Sequence, residues 1–229
     1  MLVFFDIDAT LITTGGVGVK AMIDAGRDLY GPSFTADGVP FAGRLDPLIL
    51  VDLLRLNGQE ASRSNLDQFR AVYGKRLPER LVPGVGRALP GVMDLLTSLE
   101  RAEALTLGLL TGNFAETGTM KLTACGIDAN RFTIRVWGDE SPHDPPARDH
   151  LPGIGLERYR HLCGHEVDPR HVVVIGDTPH DVACARAHGC RSIGVATGSF
   201  TIDALAASGA DLVVPSLADT GAIREWILS

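Results

Sequence analysis

The sequence predicts an α/β fold in which a doubly wound parallel sheet carries an inserted α-helical domain. Apolar segments of strand length alternate with helical patterns through the second half of the 229-residue chain. These segments are apolar along their whole length, as expected when helices cover both faces of a parallel sheet. Residues 14–83 break this rhythm, because they hold helical patterns and no comparable strand-like run.

The order of the elements supports this class. The first predicted strand is Leu2–Phe5, and the later ones are the apolar runs at residues 104–110, 132–137, 171–175, 191–196 and 211–214. The predicted helices lie at residues 114–124, 151–163 and 179–188, with a short helix from Thr201 and a terminal helix from Ser216. Pro179 suits the first position of its helix. Strands joined through helices form right-handed βαβ units and therefore a parallel sheet.

The segment after the first strand is predicted to be a helical insertion. Apolar residues recur at helical spacing in three places: Val19, Ile23 and Leu29; Leu48, Val51 and Leu54; and Leu66, Phe69 and Val72. Gly15-Gly16 and Pro83-Gly84 at its two ends are suited to hinges. We therefore divide the chain into an α/β core domain of residues 1–13 and 84–229 and a helical domain of residues 14–83.

Composition and charge exclude several classes of protein. Hydrophobic residues make up 45% and charged residues 21% of the chain, which is ordinary for a soluble globular protein. The formal net charge of −7, without a run of Lys or Arg, predicts no nucleic-acid and no membrane partner. The four cysteines have neither zinc-site spacing nor a disulfide pattern. With an N-terminal apolar run too short for a signal peptide, these features predict a cytoplasmic protein.

Two pairs of carboxylates follow predicted strands, and they are the most informative feature of the chain. Asp6 and Asp8 follow the first strand, and Asp177 and Asp181 follow the strand at residues 171–175. Carboxylates at the edge of a core are costly unless they share a cation or a hydrogen-bond network. Four of them at strand ends predict a hard divalent metal with oxygen ligands, most consistent with Mg²⁺.

Two further strand ends carry polar residues. Thr111, Gly112 and Asn113 lie between a strand and a helix, where a hydroxyl, a free amide and a helix N-terminus can bind phosphate. Arg148 follows the strand at residues 132–137 after a polar loop. In an open parallel sheet, groups at the carboxyl ends of strands meet in one crevice.

Taken together, this pattern resembles the haloacid-dehalogenase superfamily, whose members are mostly Mg²⁺-dependent phosphatases. The four motifs of that family match in order and spacing: Asp6, Asp8 and Thr10; Thr111 and Gly112; Arg148; and Gly176, Asp177 and Asp181. The helical insertion resembles the family's cap domain, and the whole is similar to phosphoglycolate-phosphatase-type enzymes. Ala9 stands where the family commonly has Gly, a change that is tolerated unless the backbone there needs a positive φ.

The resemblance implies a role for each motif. Asp6 would be the nucleophile and Asp8 the general acid and base. Thr10, Thr111, Gly112, Asn113 and Arg148 would bind the phosphoryl group. The metal would be held by Asp6, the main-chain carbonyl of Asp8 and Asp177, with Asp181 as a further ligand or a group that orients its waters. Taken alone, Asp181 is also consistent with a first-turn charge favoured by the helix dipole.

Two assignments keep alternatives. The family's third-motif cation is usually Lys, and Lys121 competes with Arg148 for it; we favour Arg148 because the helix pattern after it matches the family. In the insertion, Arg44 is placed to meet an anionic group of the substrate. The same loop is also consistent with a helix-capping turn in which Asp46 is the cap and Pro47 starts the helix.

The sequence therefore predicts a phosphatase that acts on a small phosphorylated metabolite, as a monomer or a homodimer. A sugar phosphomutase would use the same core and return the phosphoryl group to the sugar. A dehalogenase also uses a nucleophilic aspartate, but it needs neither the metal nor Asp8. A third alternative is a non-catalytic binding protein with this fold.

Overall fold

The structure is a computed structural model and describes residues 1–229. Its strands are, in chain order, β1 (Leu2–Phe5), β2 (Ile12–Thr13), β3 (Arg87–Ala88), β4 (Thr106–Leu110), β5 (Ile134–Val136), β6 (Val172–Gly176), β7 (Arg191–Val195) and β8 (Leu212–Val214). Six of these strands form one sheet, whereas β2 and β3 pair separately as a short antiparallel ribbon.

The α-helices are α1 (Val17–Tyr30), α2 (Asp46–Leu56), α3 (Arg63–Arg80), α4 (Val92–Glu100), α5 (Ala115–Ala124), α6 (Leu151–Cys163), α7 (Pro179–Ala187), α8 (Ile202–Ala207) and α9 (Thr220–Leu228). Three short 3₁₀ helices lie at Ala129–Arg131, Arg148–His150 and Pro169–His171. No helix of the protein is both long enough and apolar enough to cross a bilayer.

The six-stranded sheet has the order β5-β4-β1-β6-β7-β8 and all its pairings are parallel. The predicted fold class, a doubly wound parallel α/β sheet, is confirmed. The first strand lies in the middle, with β4 on one side and β6 on the other. The chain therefore reverses direction across the sheet at β1, and ligands bind at such a switch point in open α/β sheets.

Alternate residues of β1 face opposite sides of the sheet and belong to two different hydrophobic clusters. Val3 and Phe5 pack into one cluster, together with α4 and α9, whereas Leu2 and Phe4 pack into the other, beneath α6 and α7. All four side chains are fully buried. This two-sided burial is the reason the strand is apolar at every position.

In the chain, helices α1, α2 and α3 come after β2 and before β3. These three helices have a hydrophobic cluster of their own. That cluster also contains Phe114, which belongs to the loop between β4 and α5. The helical segment therefore packs directly on the polar strand ends of the sheet. The division at residues 13/14 and 83/84 stays a prediction, although the ribbon joins the two ends of the segment.

Most predicted elements agree with the observed ones to within a few residues, and two differences matter. The predicted strand at residues 132–137 is shorter in the structure, at Ile134–Val136. Helix α4 was not predicted, although Leu95, Leu96 and Leu99 follow a helical spacing and are all buried. It connects the ribbon to β4 and covers the face of the sheet that carries Val3.

Candidate active site

A cavity of about 310 Å³ lies at the carboxyl ends of β1, β4 and β6, between the sheet and helices α1 to α3. Most residues predicted for the site line it: Asp6, Asp8, Arg44, Thr111, Gly112, Asn113, Arg148 and Asp177. Lys121, the alternative cation, lines it as well. Thr10 and Asp181 are buried behind this wall. The strand ends thus bring residues together that are far apart in the chain.

Asp6 and Arg148 form a buried ion pair. The Nη2 atom of Arg148 donates to Oδ1 of Asp6 at 2.9 Å and to Oδ1 of Asp181 at 2.5 Å. Oδ2 of Asp6 makes no side-chain hydrogen bond, and Nε of Arg148 is buried without a partner. Burial raises the pKa of Asp6 to about 6, against the opposing effect of Arg148. The pair therefore presents one free carboxylate oxygen and one unsatisfied donor.

Asp177 is the second carboxylate of the cavity and is almost without hydrogen bonds. Its side chain accepts one long contact, 3.5 Å from Oγ1 of Thr10. Burial, together with the charges of Asp6 and Asp181, raises the pKa of Asp177 to about 8. A buried carboxylate with so few donors is the environment that a cation stabilises. The residues present therefore fit a hard divalent metal between Asp6 and Asp177.

The structure narrows the predicted ligand set. It contains no group of three or more Asp, Glu, His or Cys side chains close enough together to hold a metal. Asp181 accepts from Arg148 on Oδ1 and from the backbone and hydroxyl of Thr178 on Oδ2, so its carboxylate is already occupied. Asp181 therefore lies behind Arg148 and holds its guanidinium group, and Asp181 does not line the cavity. Two carboxylates are what Mg²⁺ commonly takes from a protein when phosphate and water complete its shell.

Asp8 lies opposite Asp6 and is held through one oxygen. Nζ of Lys121 donates to Oδ2 of Asp8 at 2.7 Å and to Oδ1 of Asn113 at 2.6 Å. Nδ2 of Asn113 donates to the same Oδ2 at 2.9 Å and to Oγ1 of Thr111 at 2.8 Å. Oδ1 of Asp8 makes no hydrogen bond, so this is the atom that can exchange a proton with a ligand.

Arg148 and Lys121, the two candidates for the third-motif cation, contact different carboxylates. Arg148 pairs with Asp6 and Lys121 with Asp8, and both cations are buried. Burial alone would lower both pKa values, but Asp181 and Asp6 raise the pKa of Arg148 above its usual value. Asp8 and Asp46 do the same for Lys121. Lys121, the seventh residue of α5, faces the cavity because α5 starts at the sheet edge and this side of the helix points inward.

The helical segment contacts the loop after β4 through its own backbone. The amide of Asp46 donates to the carbonyl of Gly112 at 2.7 Å, and Oδ2 of Asp46 accepts from the amide of Phe114 at 3.1 Å. A Cβ atom at Gly112 would collide with the carbonyl of Arg44. Gly112 is therefore needed for this close approach. The predicted phosphate loop is thus also a docking point for the helical segment.

Arg44 lies at the edge of the cavity and is already paired within its own segment. Its Nη1 atom donates to Oδ2 of Asp52, one helical turn into α2. The predicted role of Arg44 toward an anionic substrate group stays a prediction. Asp46 differs from its predicted role as the cap of its own helix, because its side chain instead caps α5 through Phe114. His180 is exposed at the start of α7 and does not line the cavity.

Two cavity residues of the helical segment were not singled out in the sequence. Gly18 and Tyr73 belong to α1 and α3, and both line the cavity beside Lys121. The side chain of Tyr73 packs mainly against apolar residues, and its position in α3 follows the spacing of core residues. No sequence signal separates it from a core tyrosine, because its proximity to Asp8 depends on how the segment folds over the sheet.

The chain is similar to known proteins over most of its length. A family model described as haloacid dehalogenase-like hydrolase matches residues 3–186. The chain is 30% identical over 228 residues to a phosphoglycolate phosphatase of Vibrio vulnificus, covering 95% of this chain and 92% of that protein. It is 28% identical over 228 residues to the probable phosphatase IndB of Dickeya dadantii, covering 95% and 90% of the two chains.

A solved structure with a similar fold is CbbY from Rhodobacter sphaeroides in complex with phosphate. The TM-score is 0.76 with 20% identity, and 96% of each chain is covered. This likeness extends over the helical segment as well as the sheet.

Proposed function

The chain belongs to the haloacid dehalogenase-like hydrolase family, and we propose that it is a Mg²⁺-dependent phosphatase that hydrolyses a small-molecule phosphate monoester through an aspartyl-phosphate at Asp6. The observation that carries this proposal is that one cavity is lined both by the pair of Asp6 with Arg148 and by Asp8, whose Oδ1 is free. This arrangement offers a nucleophile, a phosphate-binding cation and a proton donor to a single ligand.

In the first step Oδ2 of Asp6 attacks phosphorus, since Oδ1 is engaged by Arg148. A new bond forms between this oxygen and phosphorus, and the bond from phosphorus to the ester oxygen breaks. Asp8 gives its proton from Oδ1 to the departing oxygen, so that the leaving group departs as a neutral alcohol. Lys121 and Asn113 keep the other oxygen of Asp8 in place during this transfer.

In the second step water attacks the same phosphorus atom and gives its proton to Oδ1 of Asp8. The bond between phosphorus and Asp6 breaks, which releases inorganic phosphate and restores both carboxyl groups. Arg148 and the hydroxyl of Thr111, which both line the cavity, would bind phosphoryl oxygens in both steps. The predicted part of Thr10 is indirect, because its hydroxyl reaches Asp177 and does not line the cavity.

Asp6, Asp177 and the main-chain carbonyl of Asp8 would hold Mg²⁺. When bound, Mg²⁺ neutralises charge on the phosphate and lowers the repulsion between the phosphate and Asp6. The proposal thus makes Asp177 a ligand of the metal and gives Asp181 the role of orienting Arg148.

The test is phosphate release from a panel of phosphorylated metabolites with Mg²⁺. We expect turnover by the wild-type protein, loss of turnover in Asp6→Asn with the fold retained, and a large loss of rate in Asp8→Ala. Near-full activity of Asp6→Asn would contradict the nucleophile. A bisphosphate intermediate without net phosphate release would indicate the phosphomutase instead.

A further inference from the structure

We propose that Tyr73, Lys121 and Asp46 form a polar subsite that binds a hydroxyl group on the leaving-group side of the substrate. This inference rests on the proposed function, because it places the leaving group beside Asp8. Beyond the proposed function, the subsite specifies a chemical group of the leaving alcohol. A hydroxylated alcohol or sugar would satisfy the subsite, whereas a carboxylate would not.

The first observation is the hydroxyl of Tyr73. The side chain is fully buried and lines the cavity, and its oxygen makes no hydrogen bond of normal geometry. The hydroxyl of Thr117 lies beside it but donates its own proton to the carbonyl of Phe114. Leaving a buried hydroxyl unpaired costs free energy, so such a group in a cavity wall indicates a missing partner. A ligand inside the cavity can supply that partner.

The second observation is a free donor on Lys121 next to this hydroxyl. An ammonium group has three N–H donors, and those of Lys121 are used twice, by Asp8 and Asn113. A Cβ atom placed on Gly18 would lie 3.2 Å from Nζ of Lys121 and 3.5 Å from the hydroxyl of Tyr73. Gly18 thus borders a small space that both donors reach, although glycine costs stability inside a helix.

The third observation concerns charge and decides between a hydroxyl and a carboxylate. Asp46 lines the same cavity, and its Oδ1 makes no hydrogen bond. Beside the single cation Lys121 there are then two carboxylates, Asp8 and Asp46, whereas Arg44 is already paired with Asp52. A further carboxylate would add repulsion in this buried space. A hydroxyl can accept from Tyr73 or Lys121 and donate to Asp46.

Binding of non-hydrolysable phosphonates tests the subsite without requiring turnover. Propylphosphonate, 3-hydroxypropylphosphonate and 3-phosphonopropionate share a three-carbon chain and differ only at its terminal carbon, which is a methyl, a hydroxymethyl or a carboxylate group. We expect calorimetric titration of the wild-type protein with Mg²⁺ to show about five- to tenfold tighter binding of the hydroxyl compound than of the methyl compound. The carboxylate compound should bind no tighter than the methyl compound.

Tyr73→Phe should reduce the hydroxyl preference to about twofold or less and leave the affinity for propylphosphonate unchanged. Gly18→Ala should do the same by filling the space. The matched control is Tyr30→Phe, because the hydroxyl of Tyr30 is also buried without a partner but does not line the cavity. It should leave all affinities unchanged.

Equal affinities for the methyl and hydroxyl compounds in the wild-type protein would overturn the subsite, as would an unchanged preference in Tyr73→Phe. Tightest binding of 3-phosphonopropionate would overturn the choice of a hydroxyl. These failures differ from failure of the proposed function, in which phosphate esters are not hydrolysed although the phosphonates bind. Absence of binding by all three phosphonates would contradict both.

Discussion

Ala9, the residue directly after Asp8, has a left-handed backbone conformation in the loop that follows β1. Its φ is 58°, a value that residues other than glycine rarely adopt. The sequence places Ala where related proteins commonly have Gly, and the structure shows that the backbone does need a positive φ here. The loop is fixed from outside, because Oγ1 of Thr197 donates to the carbonyl of Ala9 and the amide of Ala9 donates to the carbonyl of Ile12.

We expect Ala9→Gly to raise the free energy of unfolding by about 1 kcal/mol, because the strain of the left-handed conformation is removed. Chemical denaturation measures this change. The control is Ala206→Gly in the exposed part of α8, which should lower stability by a similar amount, about 1 kcal/mol. A loss of stability in both variants would show that the conformation of Ala9 carries no strain.

Lys121 donates to Asp8, the proposed proton donor, and a positioning role of Lys121 can be separated from a structural one. We expect Lys121→Met to lower kcat for alkyl phosphates by about 10- to 100-fold, because Asp8 loses one of the two donors that hold Oδ2. For p-nitrophenyl phosphate, whose leaving group needs little protonation, the loss should be several-fold smaller.

Lys20→Met is the matched control, since Lys20 is exposed on α1 and contacts only the carbonyl of Gly15. It should leave both rates unchanged. If Lys121→Met lowered kcat equally for both esters, a role of Lys121 through Asp8 would be excluded.

At the scale of elements, an arginine of α3 connects that helix to α5 and to the loop after β5. Arg70 donates to both carboxylate oxygens of Glu116 and to Asp139, and its guanidinium lies 4.0 Å from the centre of the Phe114 ring. All three partners belong to the sheet side of the molecule, and Phe114 packs into the helical cluster. Arg70 therefore holds α3 against α5 and against the loop after β5.

We expect Arg70→Ala to raise KM by about three- to tenfold. The two half-exposed ion pairs of Arg70 and its cation–π contact together contribute about 1 kcal/mol to holding α3 in its observed position beside the cavity. Steady-state kinetics with increasing salt measures this effect. Arg63→Ala on the same helix is the control, since the pair of Arg63 with Asp67 is exposed and lies within α3. An unchanged KM for Arg70→Ala would mean that other contacts hold α3 in this position.

The same scale shows which parts of the fold were predictable. Helix α6 is correct to the residue because Leu151-Pro152 starts it and Gly164 ends it in a left-handed conformation. The predicted role of Asp46 as the N-terminal cap of α2 is wrong, because its carboxylate accepts from the amide of Phe114 at the start of α5. A side chain that caps a distant element leaves no local signal in sequence.

At the scale of the whole molecule, the family, the fold class and the enzyme class, a phosphatase-type hydrolase, are confirmed. The strand ends were predictable because parallel strands bring their carboxyl ends to one edge, so that Asp6, Thr111 and Asp177 had to meet. The division of labour between Arg148 and Lys121 was not predictable, because it depends on which side of α5 faces inward. The contribution of Tyr73 depends on how the helical segment folds over that edge.

A buried carboxylate at the proposed metal site destabilises the folded protein when it is ionised. The stability of the protein should therefore depend on pH and on Mg²⁺. In the metal-free protein burial raises the pKa of Asp177 to about 8, whereas the unfolded chain releases this proton near pH 4. The folded state therefore binds more protons than the unfolded state in this window. Its stability falls as the pH rises through it.

We expect Asp177→Asn to be more stable than the wild-type protein in EDTA at pH 8, by on the order of 2–4 kcal/mol, and equally stable near pH 4. Mg²⁺ should raise the melting temperature of the wild-type protein at pH 8 and have no effect on the variant. Thermal unfolding at the two pH values measures both. A variant that is less stable at pH 8 would contradict a destabilising effect of the Asp177 charge.

Chemical trapping of the phosphorylated residue tests the central claim most directly. The protein is mixed with Mg²⁺ and a hydrolysable phosphate ester, quenched during turnover and treated with borohydride, which reduces an acyl phosphate to an alcohol. Peptide mass spectrometry then locates the reduced carboxyl group. We predict homoserine at position 6 and at no other position; an unmodified Asp6 during steady turnover, or reduction at Asp8 or Asp177 instead, would contradict the account.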